Sequence, residues 1–575
     1  MKRLVFACVA TLWAGAGAAS ELTGWHWTER SFHISAGDLS STSVGPDDWV
    51  AAFGTAVERW NDAALPFSIT SDGLTQLESC DVDDPNTAYF SADPCNAGQE
   101  WPDGVVGVSV TWSEAHSGEA LQTSILFNAD ETWDVYDGPP MAAVDFTRVA
   151  VHEIGHSIGL DHTTTTGAIM EPVGSDVITP QSDDLAGVHI IYNTDDVVVL
   201  PDVNTNGRQE IAPIRRRAPN SNGRVQVRET NNGSPVRSFS YFNGYTPVTM
   251  VMVDDRNGNG VPELASVQSR NTDGRTLFEV RDPSTSANVA NIWFSRNHTA
   301  RFAAAITDTT GNGQQDYVVV HTRNSDGAVA AQIRDSASGG LARNVYYSSG
   351  FYPVDMAVVP DVNGNNAQEI AVALVQIGSA RGLVQVRDSL TGSVVANTWL
   401  PASFELKNIA VLGDTNSNGA PDIAALAQRV DNPATGAGPI AVRISDASTG
   451  AALRSIWFRP TGSSIFGRHA LAAVPDFSGN GLDEVSILVQ LTSSQRTVLT
   501  TRDALTGAEI STIFVSPDFD GERLVVVDSL NGNNASEVGV YGFDRNLLPQ
   551  MIMYDPSTST RLNTVFFPFM VAAGN

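Results

Sequence analysis

Apolar residues follow three patterns along this chain. The first is a short unbroken run from Leu4 to about Ala14, preceded by Lys2 and Arg3 and followed by the small residues Gly15 to Ser20. A basic start, an apolar centre and a small-residue end predict a secretory signal peptide over residues 1–20, cut near Ala18 to Ser20. The run is short for a membrane span, and no later stretch reaches the roughly 18 apolar residues a span needs. The second pattern is helical: between Asp47 and Ala63, Val50, Phe53, Ala56, Val57 and Trp60 fall on one face. The third begins beyond Asn193 to Asp196, where short Val, Ile and Ala runs alternate with Asn-Gly and Asp-rich turns. The change of texture predicts two domains after the leader, 21–194 and 195–575.

The third pattern repeats. Its unit, Asp-x-Asn-x-Asn-Gly-x-x-Glu/Asp, starts at Asp202, Asp255, Asp308, Asp361, Asp414, Asp476 and, in degenerate form, Ser529. Successive starts are 53 residues apart except for one step of 62, so one unit carries nine extra residues. Each loop lies between strand-like runs, as Val197 to Leu200 and Ile211 to Ile214 flank the first. The second unit offers strands over 263–267, 277–282, 289–294 and 302–307. Four short strands per unit, seven times over, predict an all-β seven-bladed β-propeller. The closing blade is expected to combine residues 197–200 with the last strands of the chain, from Val538 to about Ala573.

Within each loop, oxygens at positions 1, 3, 5 and 9, a carbonyl at 7 and a turn at 6 are what a hard cation such as Ca²⁺ requires. The side chains are Asp202, Asn204, Asn206 and Glu210; Asp255, Asn257, Asn259 and Glu263; Asp308, Thr310, Asn312 and Asp316; and Asp361, Asn363, Asn365 and Glu369. The remaining three loops supply Asp414, Asn416, Asn418 and Asp422; Asp476, Ser478, Asn480 and Glu484; and Ser529, Asn531, Asn533 and Glu537. The fourth loop has Asn366 in place of the glycine at position 6, and the last, with Asp528 nearby, should bind most weakly. Metal-free Asn-Gly hairpin turns are the alternative, but a plain turn gives no reason for an acid at position 9 in every unit. EF-hands are excluded, since long flanking helices and an acid at position 12 are missing.

The sharpest local signal is His152-Glu153-Ile154-Gly155-His156-Ser157-Ile158-Gly159-Leu160-Asp161-His162. Residues four apart share a helix face, so His152 and His156 can hold one metal with Glu153 directed at a water beside it. Gly159 is where the helix should end and turn back, bringing in His162 as a third ligand. Three protein nitrogens and an open position build a catalytic Zn²⁺ site.

These residues resemble the metzincin zinc peptidases, most nearly the matrixins. His152, Glu153, His156, Gly159 and His162 match the family motif, and Ala168 to Pro172 matches its methionine turn, with Met170 as floor beneath the histidines. Trp25 to Ile34, Asp47 to Ala63 and Ile178 to Tyr192 are similar to its first strand, first helix and last helix. The resemblance implies an α+β metzincin (matrixin-like) catalytic domain, a zinc metalloendopeptidase that cleaves protein or peptide substrates through a water activated by zinc, with Glu153 as general base. It places the substrate along an edge strand, for which Gly104 to Thr111 is the candidate and Leu121 to Phe127 its neighbour. No cysteine or folded propeptide fits between the leader and the first strand, so the latency usual in matrixins is not expected. Nor is the usual second zinc, because His116 has no partners; it, His26, His33 and His189 read as surface residues. The repeats resemble the FG-GAP and VCBS families of integrin-type propellers, which carry calcium in outer loops.

Charge and cysteines refine this picture. A net charge of -30 leaves little basic surface for nucleic acid. Lys2 and Lys407 are the only lysines, and the loop acids account for part of the imbalance. Beyond Cys8 in the leader, Cys80 and Cys95 remain, which predicts one disulfide in an exported chain. The chain is therefore expected to be secreted and extracellular. Its propeller would serve calcium-dependent stability or bind a protein or glycan; an adhesion or ligand-binding propeller with an inactive metal domain is the competing reading, against which the intact Glu153 argues.

Overall fold

In a computed structural model the chain divides into two compact units, residues 1–193 and 194–575. The structure describes residues 4–7, 27, 31–36, 39, 48–62, 68–73, 80–96, 100–113, 120–136, 139, 141–163, 166–172, 176–181, 184 and 188 of the first. Of the second it describes 196–217, 222–270, 273–323, 326–376, 381–429, 439–458, 465–491, 497–516, 519–544 and 548–568.

Among the described residues the first unit is built on a mixed sheet and two long helices. Its strands are β1 (Leu4–Ala7), β2 (Ser31–Ser35), β3 (Ser68–Asp72), β4 (Thr87–Ser91), β5 (Gly107–Ser113) and β6 (Ala120–Asn128), in the spatial order β1-β5-β6-β4-β2-β3. Helix α1 (Trp49–Asp62) starts where Asp48 accepts the Ala51 N–H. It buries the expected face: Phe53, Ala56, Val57 and Trp60 are all within the core. Helix α2 (Phe146–Ser157) packs beside it, and the Trp60 indole donates to the Val151 carbonyl at 2.8 Å. An aromatic cluster of Trp49, Phe90, Phe127, Trp133 and Phe146 fills the space between helix and sheet. The Phe127 and Phe146 ring centres are 4.6 Å apart.

β5 is the strand expected at the sheet edge, with β6 antiparallel beside it. It is not the edge in the full chain, because Leu4–Ala7 lies antiparallel on its outer side, Ala7 opposite Val110. That segment falls in the expected leader. The expected last helix lies largely outside the described residues, with Asp184 and Val188 helical.

The second unit consists of seven four-stranded antiparallel sheets. Their first strands are Asp196–Leu200, Tyr245–Val253, His298–Ile306, Phe351–Val359, Phe404–Leu412, Ile465–Val474 and Phe519–Val527. Each blade thus begins one strand before its nine-residue loop motif, and the motif joins its first two strands. This overturns the expected closure. Asp196–Leu200 pairs with Glu210–Arg217 inside the first blade, and the last blade takes all four strands from Phe519 to Phe566. Seven loops, each with one strand before and three after, use up the strands with none left to exchange.

The ring closes through side chains. Val197 and Ile211 of the first blade share a core with Val525, Tyr541, Met553 and Phe567 of the last. The Gln209 side chain accepts the Asp528 N–H, and Asn563 donates to the Thr230 carbonyl at 2.9 Å. The extra residues of the fifth unit are spread over two connections, Arg429 to Ile440 and Phe458 to Ile465.

Candidate metal centres

Helix α2 is set by its ends. Asp145 caps it by accepting the Thr147 N–H at 3.1 Å. It stops after Ser157, and Gly159 reverses the chain at φ 96°, the left-handed region open to glycine. The Leu160 N–H returns to the Gly155 carbonyl at 3.1 Å, which closes the last turn. This reversal carries His162 back over the helix.

There the imidazoles meet. His162 Nε2 lies 3.2 Å from His152 Nε2 and 3.3 Å from His156 Nε2. Among the described residues this is the one such group of histidines, cysteines or acids whose ligand atoms converge, all within 4.8 Å. His152 Nδ1 sits 2.7 Å from the Ile169 carbonyl and His156 Nδ1 2.8 Å from that of Leu160. A carbonyl only accepts, so both rings carry their proton on Nδ1 and present a bare lone pair at Nε2. His162 could place a proton in one of its two contacts; the other remains lone pair against lone pair. A divalent cation resolves that conflict, and imidazole nitrogens suit Zn²⁺. Burial holds the protonation of all three rings down, with His162 adding to the effect at both partners, and His156 falls to about 3.

Glu153 is beside them, with 4% of its surface exposed. Its Oε2 has no hydrogen-bond partner among the described residues. Gly107 at the start of β5 forms the wall: a Cβ there would stand 3.0 Å from Glu153 Oε1. The Ser109 hydroxyl of the same strand donates to the Glu153 carbonyl at 2.7 Å, so strand and helix are registered at this residue. Burial pushes the carboxyl up to about 8, and Ser109 acts in the opposite direction.

Met170 is fully buried beneath the histidine helix, facing Gly155. The turn that carries it is held by a residue the sequence reading passed over. Asp184, itself fully buried, accepts the N–H groups of Ile169 at 2.9 Å, Met170 at 3.0 Å and Gln181 at 2.7 Å. Its place in Gln181 to Asp184, ahead of an apolar run, reads as helix capping, and nothing local points to a turn 14 residues earlier. Cys80 and Cys95 form a disulfide with Cα atoms 5.5 Å apart. His33 contacts Thr70 and Asp72 on the surface, while His26, His116 and His189 lie outside the described residues.

All seven blade loops share one form. The acid at position 1 accepts backbone N–H groups of its own loop, as Asp255 does from Asn257, Gly258 and Gly260. Position 6 is left-handed throughout, including Asn366 at φ 66° and Asn534 at φ 67° in place of glycine. The position-9 acids Glu210, Glu263, Asp316, Glu369, Asp422, Glu484 and Glu537 are all 0% exposed. Each accepts the N–H of position 2, as Glu210 does from Val203 at 3.0 Å and Glu537 from Leu530 at 2.8 Å. In the last loop the Ser529 hydroxyl contacts Asn531 and Asn533 where the other loops have a carboxylate. A second acid, unforeseen, stands beside each loop at the end of the third strand: Glu229, Asp282, Asp335, Asp388, Asp446, Asp503 and Asp555. The interval from Asp202 to Glu229 is 27 residues and recurs in most units, a signal that went unused in the sequence.

The segment that contains these histidines is similar to known proteins. The matrixin family, Peptidase M10, matches residues 25–193. Metalloendoproteinase 2-MMP of Arabidopsis thaliana is 31% identical over 150 residues, 25% of this chain and 36% of that protein. Human matrix metalloproteinase-16 is 28% identical over 188 residues, 31% of this chain and 29% of that protein. Karilysin of Tannerella forsythia is 30% identical over 122 residues, 20% of this chain and 25% of that protein. The chain thus spans about a third of the length of such relatives. The family implies zinc, which suits the three converging imidazoles. On the family match and the sheet topology, the chain carries a matrixin domain at residues 25–193, followed by a seven-bladed all-β propeller.

Proposed function

We propose that the chain is a secreted zinc-dependent endopeptidase whose propeller is stabilised by calcium. The observation that carries the reading is the meeting of three Nε2 atoms beside a buried carboxylate with a free oxygen. Zinc held by His152, His156 and His162 would supply Lewis acidity to a water and to the scissile carbonyl. Glu153 takes the proton of the attacking water and gives it to the leaving amine. Its raised affinity for a proton suits the second role, and a dication nearby lowers it for the first. Met170 and Asp184 hold the Ile169 carbonyl against His152 and so fix that ring.

The substrate is an extended peptide that adds to β5 as a strand, with main-chain bonds supplying affinity. That edge carries Leu4–Ala7 in the full chain and becomes available when the leader is removed. The similarity to matrixins supports protein and peptide substrates. The calcium reading rests on the buried position-9 carboxylates, of which Glu210, Asp316 and Glu537 each keep an oxygen without a hydrogen bond among the described residues. A buried anionic oxygen without a partner is costly, and Ca²⁺ relieves it.

Glu153→Gln tests the mechanism. It should retain zinc and fold and lose hydrolysis of an unfolded protein by about 10²–10⁴-fold, the usual contribution of a general acid–base. Near-parental hydrolysis would remove Glu153 from the mechanism, and an active chain stripped of zinc would remove the metal.

A further inference from the structure

The hairpin that joins the third and fourth strands of each blade stands at the same end as the metal loop. In five blades one oxygen of its acid accepts N–H groups of its own turn and the other accepts amides of the loop. Asp388 Oδ1 accepts the Leu390 and Thr391 N–H groups, both at 2.7 Å, while Oδ2 receives the side-chain amides of Asn363 and Asn365. Asp282 does the same with Ser284 and with Asn257 and Asn259. In all seven blades the amide at position 5 donates to this hairpin acid.

We propose that these hairpin carboxylates, Glu229, Asp282, Asp335, Asp388, Asp446, Asp503 and Asp555, are ligands of the cation taken by the adjoining loop. Each ion then ties two hairpins of a blade together. This rests on the calcium reading of the loops and adds to it a ligand from a separate part of the chain.

Three observations carry it. First, in the fourth blade a single nitrogen, Asn363 Nδ2, lies 2.6 Å from Glu369 Oε1 and 2.6 Å from Asp388 Oδ2. The two carboxylates therefore converge on one point, and the fifth blade repeats this with Asp422 and Asp446 around Asn416. Second, in the first blade buried oxygens of both acids remain unused: Glu210 Oε1 and Glu229 Oε2 have no hydrogen-bond partner among the described residues, at 0% and 6% exposure. Third, among the described residues no arginine or lysine forms an ion pair with any of these acids.

An asparagine amide satisfies such a pair only through weak neutral donors. Turned about its last bond, the same side chain presents its oxygen to the same point and completes an oxygen cage around a dication. Six of the seven hairpin acids are buried, as a ligand at the rear of a cage would be. The seventh loop, without an acid at position 1, keeps two carboxylates through Asp555 and Glu537 and so retains a site. With three carboxylates in each of the other loops, it remains the weakest of the seven.

The test uses the full chain in a Glu153→Gln background to prevent self-cleavage. Bound calcium is counted by atomic emission after dialysis against buffered free calcium, and melting is followed with and without calcium. Asp388→Asn retains the oxygen that serves its own turn, so the fold is conserved; Asp446→Asn repeats the experiment in the fifth blade should the first fail to fold. Each should weaken one site about tenfold or more, since affinity follows the number of charged ligands. It should release one calcium per chain near half-saturation and shrink the calcium-induced rise in melting temperature. Parental calcium binding, with an equal loss of melting temperature in both conditions, would reduce the hairpin acid to a structural role and overturn the inference. Asp361→Ala separates the two levels: if it too binds calcium like the parent, the loop reading itself has failed.

Discussion

Met170 presses its sulfur against the bare backbone of Gly155, one turn along the helix from His152, so closely that a Cβ on Gly155 would overlap it. Gly155→Ala should therefore destabilise the matrixin domain by about 1–3 kcal/mol, the usual result of forcing an extra carbon into a filled core. Hydrolysis should fall with it, because the displaced floor carries the carbonyl that orients His152. Adding Met170→Ala vacates the space, so the double variant should melt above the sum of the two single losses. Strict additivity would dissociate the two residues.

Asp184→Asn tests the support of the methionine turn. An amide replaces one of two anionic oxygens and puts a donor opposite an N–H, so a loss of about 1.5–3 kcal/mol is expected. Urea unfolding measures it. Zinc affinity should fall while Glu153 chemistry is intact, giving an enzyme rescued by added zinc.

The zinc-free protein should weaken in acid. Burial depresses the three imidazoles in the folded chain, His156 to about 3, whereas in the unfolded chain they titrate near 6.5. Below about pH 6.5 the unfolded state binds more protons, so stability present above that pH drains away as pH falls toward 3. In a Glu153→Gln background, which removes the opposing titration of the raised carboxyl, urea midpoints of the matrixin domain at pH 7.5, 6 and 5 should decline in that order, and a variant with all three histidines changed to glutamine should flatten the decline.

For the propeller the dependence runs the other way. Burial raises Glu210, Glu369 and Glu537 to about 7, above the usual carboxylate range. Without calcium the folded state holds protons that the unfolded state has released, so stability falls as pH rises from about 4.5 to 7. Calcium replaces those protons. Its effect on melting temperature should thus be larger at pH 7.5 than at pH 5, and equal effects at both would contradict the metal assignment.

Much of this was legible in the chain because it is local. The two histidines need one helical turn, Gly159 needs its own φ, and the blade loops need nine consecutive residues. What escaped notice joins distant segments. Asp184 reaches a turn on another element, so its sequence neighbourhood suggests a different task. The hairpin acids recur at a steady interval, yet an aspartate in a turn is explained by the turn alone until its second oxygen is seen facing the loop. Closure was misread for a related reason: a strand-like run at 197–200 has no signature that says whether its partner comes before or after it.

Because every blade is made from one continuous segment, no sheet of the ring depends on strands donated by another. A duplication or deletion of one whole repeat in the gene would leave every remaining sheet intact and ask only that flank-to-flank packing accommodate a new curvature. A ring closed by an exchanged strand would lose a sheet if either terminal repeat were deleted. The repeat is therefore a heritable cassette as well as a structural one, and blade number is a character on which selection can act in single steps.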